Sequence, residues 1–195
     1  MSVISMPAKH KFPWYVRLFF WNQKRRYGSI LEPSYLWGRT PKVFSTLAML
    51  YGALDRRSSP ISPALRSLIT VRVSQINWCE FCVDINSATV LKRHVEPEKL
   101  NELDMFEESH LFSEDEKAAL SYAEAITHSH LQPDAACFER LREYYDDDGI
   151  IELTALVSFQ NLSSKFNASL GVEAQGFCKV APMPHELEPE AECSS

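Results

Sequence analysis

The chain holds 195 residues, 45% of them hydrophobic and 24% charged, with a formal net charge of −6. That suits one well-buried core and excludes a wholly disordered, collagen-like or low-complexity chain. No apolar run approaches the ~20 residues a bilayer crossing needs, so no membrane span is expected. The opening MSVISMPAKHKFP lacks the charged-then-apolar order of a secretory leader. Five cysteines are an odd number and too few to staple a fold of this size, which points to a reducing, cytoplasmic setting.

The charge is unevenly spread. Residues 1–42 carry eight Lys or Arg against Glu32 alone, while the remainder is strongly acidic. Nine aromatics from Phe12 to Trp37 crowd the same basic segment. Such an arm can meet nucleic acid or a membrane surface. Base-stacking modules, however, present a sheet or groove that this stretch does not suggest. We therefore read residues 1–40 as an arm packed on an acidic body, its own or a neighbouring subunit's, and expect no nucleic-acid partner.

After residue 40 the pattern is helical. Pro41 stands at a helix start and leads into the stripe Val43, Phe44, Leu47, Leu50, Tyr51, Leu54. Ser62 is a predicted N-cap with Pro63 at the first helical position, and Leu65, Leu68, Ile69, Val73 and Ile76 mark the buried face. Ile69–Ile76 is β-branched enough to pass for a strand, but its place between a Ser-Pro start and the next helix decides for helix. That next helix is expected from Trp78 or Cys79 to Lys92, with a short one after Pro97. Ser113 and Glu116 form a capping box before an Ala-rich helix ending near His128. Pro133 is expected to open a helix reaching Tyr144. Asp146–Gly149 reads as a loop before a long helix over 150–170, with Gly171 as its C-cap. From Glu173 onward periodicity is lost, and at least the last ten residues are expected to be mobile. The expectation is an all-α fold with an arm (1–40), one helical domain (41–172) and a tail (173–195).

Cys79-Glu80-Phe81-Cys82 carries the strongest chemical signal. Two cysteines three apart at a helix start share a face and can reach disulfide distance. The N-terminal dipole there favours a thiolate. Half a zinc site is the competing chemistry, but no second ligand pair stands at suitable spacing, and no metal or other cofactor is expected. Two buried, inert cysteines are the structural alternative.

The run Pro63–Arg93, PALRSLITVRVSQINWCEFCVDINSATVLKR, resembles the core of the carboxymuconolactone decarboxylase superfamily, particularly its alkylhydroperoxidase-D-like branch. The segments Leu111–Thr127 and Asp148–Val172 resemble that family's C-terminal part, so the likeness covers over half the chain. It implies an alkylhydroperoxidase-D-like helical fold that assembles as a homo-oligomer, a trimer or a hexamer. It also implies that Cys82 attacks a hydroperoxide, that Cys79 resolves the sulfenic acid to a disulfide, and that an external dithiol reductant restores the pair. The family's proton relay uses a glutamate twelve residues before the first cysteine and a histidine four after the second, which are Ser67 and Asn86 here. An amide takes up no proton, and a serine hydroxyl is no base at neutral pH.

Glu80 and Asp84 are the nearby acidic substitutes, although Asp84 should point away from Cys82 and Glu80 toward solvent. Glu152 is another candidate acid, with pairing to a Lys or Arg as its structural alternative. Arg66 and Arg72 are expected to pair with acids, and Asn161, Lys165 and Asn167 to bond between helices or subunits. The catalytic candidates are thus Cys82, Cys79, Asn86, Ser67 and Glu80. The expected function is a thiol-dependent peroxidase of weak activity. A lactone decarboxylase and a non-catalytic binding scaffold are the alternatives.

Overall fold

Helix starts follow the chemistry at their caps. In the computed structural model, which describes residues 3–5 and 11–179, the Ser62 hydroxyl accepts from the Leu65 amide at 3.2 Å and starts α4 (Pro63–Ile76). The Cys79 sulfur accepts from the Cys82 amide at 3.2 Å and starts α5 (Glu80–Lys92). Before them lie α1 (Trp14–Tyr27), α2 (Glu32–Gly38) and α3 (Pro41–Leu54). After them come α6 (Pro97–Asn101), a 3-10 turn (Leu103–Met105), α7 (Glu114–Thr127), α8 (Ala135–Arg142) and α9 (Asp147–Ser169). No strand occurs among the described residues, and the protein is all-α. None of the described helices is long and apolar enough to cross a membrane.

Two starts differ from expectation. α8 begins past Pro133 because the Asp134 carboxylate caps the Cys137 amide at 2.8 Å. α9 begins inside the acidic run because Asp146 caps the Gly149 amide at 2.8 Å, turning a presumed loop into a first turn. The capping box holds, with Glu116 accepting from the Ser113 amide at 3.0 Å. Gly171 closes α9 in the left-handed region at φ 65°, where its amide and that of Val172 satisfy the carbonyls of Ala168 and Asn167.

α4 is the central helix, packed against α5, α7 and α9. Its Leu68, Ile69, Val71 and Val73 are wholly buried, each worth about 1.5–3 kcal/mol of apolar transfer as an upper estimate. Leu120 and Ala123 of α7 and Leu153 and Val157 of α9 complete this core.

No helix was assigned to the arm from the sequence, yet residues 14–27 and 32–38 form α1 and α2. They fold back onto their own chain. Phe12, Phe20 and Phe44 make one aromatic cluster, and Trp37 stacks on Phe166 of α9 with centroids 3.6 Å apart. Gly38 permits this seating, since a Cβ there would stand 2.8 Å from the Phe12 ring. The segment after α9 is also tied down: the Asp84 carboxylate accepts from the amides of Gln175 (2.8 Å) and Cys178 (2.7 Å). The mobile tail expected for the last ten residues, and Cys193 within it, lie outside the described residues.

Candidate active site

The turn between α4 and α5 sets the cysteines. Trp78 adopts φ 53°, a left-handed backbone unusual for a bulky residue, and the Cys79 amide closes back onto the Ser74 carbonyl at 3.0 Å. α5 therefore starts antiparallel to α4 with both sulfurs turned inward. Cys79 and Cys82 are joined as a disulfide with Cα atoms 5.2 Å apart, inside the usual ~4.4–6.8 Å span.

The two sulfurs are not equivalent. Cys79 is completely buried, whereas Cys82 lines a cavity of about 340 Å³. That cavity is walled by α5 and α9 and roofed by α1, α2 and α3. The basic aromatic arm is thus the roof of the cysteine chamber: Phe19, Trp37 and Phe44 come from it and its junction, and face Phe81 and Phe159. Among the residues lining this chamber there is no carboxylate and no imidazole. Tyr51 lines it too. Although its ring is half-exposed, its phenol is pushed above the ordinary value by burial and then by Asp55, which keeps it a neutral hydrogen-bond donor.

Asn86 lines the chamber beside Cys82, and its Nδ2 reaches the Ser74 hydroxyl (3.3 Å) and the Thr70 carbonyl (3.4 Å) of α4. Ser67 lies in a smaller pocket next door, which Asn86, Tyr51, Thr89 and Gln160 also line. Its hydroxyl accepts from Arg93 at 2.8 Å, and the same guanidinium donates to Asp55 at 2.5 Å. Arg66 reaches Asp55 as well, at 3.3 Å. A carboxylate does therefore stand near the expected relay position, but it is Asp55, and two arginines hold it.

The other candidates are placed elsewhere. Glu80 is exposed and lines neither pocket. Asp84 is buried on the far face of α5, where it holds the 172–179 segment. Glu152 forms a bidentate pair with Arg56 (2.6 and 2.9 Å), whose hydrogen bonds hold its carboxyl below the ordinary range. Arg72 pairs with Glu124 at 2.6 Å. Asn161 bonds to Asn77 and Thr127, joining α9 to its neighbours.

Asn167, expected to bond between helices, does so, but sequence patterning did not foresee that its partner would be a site cysteine. From the last turn of α9 its Nδ2 donates to the Cys82 sulfur at 3.2 Å. Its Oδ1 is buried with no hydrogen-bond partner among the described residues. The amide thus offers a donor to a thiolate and an acceptor to a thiol or to a bound O–H group. The only sequence signal was its presence in a polar pattern on a helix otherwise rich in apolar residues.

The carboxymuconolactone decarboxylase family model matches residues 41–125. The chain is 40% identical over 177 residues to the uncharacterized protein YnjA of Escherichia coli, covering 91% of this chain and 97% of that one. It is 32% identical over 120 residues to the uncharacterized protein YdfG of Bacillus subtilis, covering 60% and 81% respectively. Its fold is similar to an uncharacterized peroxidase-related protein with an alkylhydroperoxidase AhpD core from Ralstonia eutropha (TM-score 0.81, 20% identity, 90% and 94% covered). It is also similar to a variant of the debrominase Bmp8 in complex with 2,3,4-tribromopyrrole (TM-score 0.79, 21% identity, 91% and 95% covered). With the family model matched over residues 41–125 and a relative 40% identical across nearly the whole of both chains, the chain belongs to the carboxymuconolactone decarboxylase family.

Proposed function

We propose that this protein is a dithiol peroxidase. Cys82 is the attacking residue, Cys79 the resolving one, and an external dithiol the reductant. The observation that carries this reading is the inequality of the pair: one sulfur faces a ligand-sized chamber and the other is sealed behind it within bonding reach.

In the reduced enzyme the Cys82 thiolate attacks the outer oxygen of a hydroperoxide, the O–O bond breaks, and the leaving alkoxide takes a proton. The Cys79 thiolate then attacks the Cys82 sulfenic acid, forming the S–S bond and expelling water once the leaving hydroxide is protonated. The Cys82 amide that caps onto the Cys79 sulfur favours Cys79 as a thiolate for that second step. Asn86 and Asn167 position the reacting oxygen and sulfur without moving protons themselves.

Single-turnover mixing of the reduced protein with hydrogen peroxide tests the roles. Cys79→Ser should stop at a sulfenic acid that traps with dimedone, and Cys82→Ser should consume no peroxide. Peroxide consumption that survives Cys82→Ser would overturn the assignment.

The aromatic lining favours a second reading, removal of halogen from an aromatic ring by the same dithiol. Bromide release from 2,3,4-tribromopyrrole by reduced protein is its measurement. Lactone decarboxylation gains no support, because the chamber offers neither carboxylate nor imidazole to carry a proton. We assign contact between copies, in a trimer or hexamer, to the outer face of α1, where Trp14, Leu18 and Trp21 are exposed at helical spacing. Light scattering that gives a monomer mass would refute this.

A further inference from the structure

The cysteine chamber does not end at its aromatic walls. A second cavity of about 240 Å³ adjoins it and shares Arg26, Tyr27, Tyr51, Ile85 and Thr89 with it. Its character is different. Arg26, Lys92 and Arg93 line it against the single carboxylate Asp55, in a chain whose net charge is −6. Arg93 is consumed by Asp55, Ser67 and the Pro63 carbonyl. Arg26 and Lys92 are not: neither pairs with a carboxylate among the described residues. Instead both lie over the Tyr27 ring, at 5.4 and 5.7 Å from its centroid. A cation resting on a ring face keeps its N–H groups available to an anion.

From these observations the geometry points to an amphipathic carboxylate as the ligand. Its apolar body would lie in the aromatic chamber beside Cys82 and its carboxylate between Arg26 and Lys92. The dimensions agree. Ile85 and Thr89 line both cavities, and Lys92 stands about 15 Å along α5 from Cys82 at ~1.5 Å per residue, the reach of a medium-length chain or a two-ring body. In the peroxidase reading this makes the substrate a carboxylate-bearing organic hydroperoxide. The location of the reacting group rests on that reading, whereas the binding of the carboxylate does not.

The test separates the two. Octanoate and 1-octanol are titrated calorimetrically into the oxidised full-length protein, where no redox step occurs. Octanoate should bind about tenfold more tightly, and ionic strength near 0.5 M should erode that preference. The double variant Arg26→Gln with Lys92→Gln should bring the ratio close to one, and the charge-keeping Arg26→Lys with Lys92→Arg should retain most of it. Equal affinities in the wild type, no binding of octanoate, or a ratio that survives the double glutamine variant would each overturn the inference. Preferential octanoate binding by a protein that reduces no hydroperoxide would leave this inference standing and remove the peroxidase reading alone.

Discussion

Replacing Asn167 by Leu isolates one contact at the proposed nucleophile. The Asn167 Nδ2 stands 3.2 Å from the Cys82 sulfur, and a leucine in its place offers that sulfur no donor. A hydrogen bond to a charged group contributes about 1.5–3 kcal/mol. Sulfur is a weak acceptor, which argues for the lower end. At ~1.36 kcal/mol per pH unit, losing about 1.5 kcal/mol raises the Cys82 thiol pKa by about one unit. The thiolate fraction at pH 7 then falls about tenfold. Each remaining thiolate is roughly threefold more nucleophilic, given a Brønsted slope near ~0.5, so the net rate at pH 7 falls only about threefold. Well above both pKa values the order inverts and the variant reacts about threefold faster. Stopped-flow oxidation by hydrogen peroxide across pH 6–11, in a Cys79→Ser background, measures both limbs. Profiles that never cross, or an apparent pKa unmoved by the substitution, would show that the amide does not stabilise the thiolate.

With no base among the residues lining the chamber, wild-type oxidation should climb steadily between pH 7 and 9, and a flat profile there would reveal a proton acceptor not yet identified. Asp84→Ala removes two charge-assisted bonds to the 172–179 segment and should cost about 2–4 kcal/mol in urea unfolding, with amide exchange accelerated first at Gln175 and Cys178. Gly38→Ala forces a Cβ against the Phe12 ring and should cost about 1–3 kcal/mol; an unchanged melting temperature would mean that the arm seats more loosely than the structure shows. Burial works against the Glu107 carboxylate, but hydrogen bonds from Arg140 and Ser121 outweigh it and hold its pKa low. A depressed acid pKa stabilises the fold above the unfolded value near ~4.3 and loses that contribution as pH falls through the folded value. The stability gap to Glu107→Gln should therefore be constant above about pH 5 and close below it, while staying under about 1 kcal/mol because the pair is partly exposed.

The helices that announce themselves by side-chain capping were legible. Ser62-Pro63 and the Ser113/Glu116 box each satisfy orphan amides through residues adjacent in sequence, and α4 and α7 begin where those residues stand. α1 was hidden because it lacks that signature: Pro13 precedes it with no side-chain cap, no acid lies in its first turn, and aromatics occupy its outer as well as its inner face. Its far end did carry a readable signal, since Lys24, Arg25 and Arg26 suit a helix C-terminus and Gly28 takes the left-handed cap at φ 78°. The cysteine pair was legible for the same local reason. The chamber was not, because its walls come from five helices spread between Phe19 and Asn167, and only tertiary packing brings them together. Asn167 and Cys82 stand 85 residues apart, so no local pattern could link them.

The two proposals make activation and selection separate devices at this site, and their separation is testable. Burial among apolar walls raises a thiol pKa, while the first turn of α5 and the Asn167 N–H lower it. Nothing in the chamber adds a base: Asn86 is an amide, and Ser67, in the pocket next door, is a hydroxyl held by Arg93. Ser67→Glu together with Asn86→His would place a carboxylate where Arg93 can keep it ionised and an imidazole one turn past Cys82 on α5. Proton transfer by one well-positioned group is worth roughly a hundred- to ten-thousandfold, and a pair grafted without its supporting contacts should recover a small part of that, raising the neutral-pH rate about tenfold. Neither substitution touches Arg26 or Lys92, and the gain falls on the chemical step that every hydroperoxide shares. The preference for a carboxylate-bearing hydroperoxide over its methyl ester should therefore stay within about twofold of wild type as both rates rise. If the ratio collapsed while the rates rose, the relay and the anion site would be one device, and the +1 change at position 86 or the −1 change at 67 would be setting the field that selects the substrate. If neither rate rose, thiolate supply would not limit the reaction, and chamber entry beneath the α1 roof would be the step to measure.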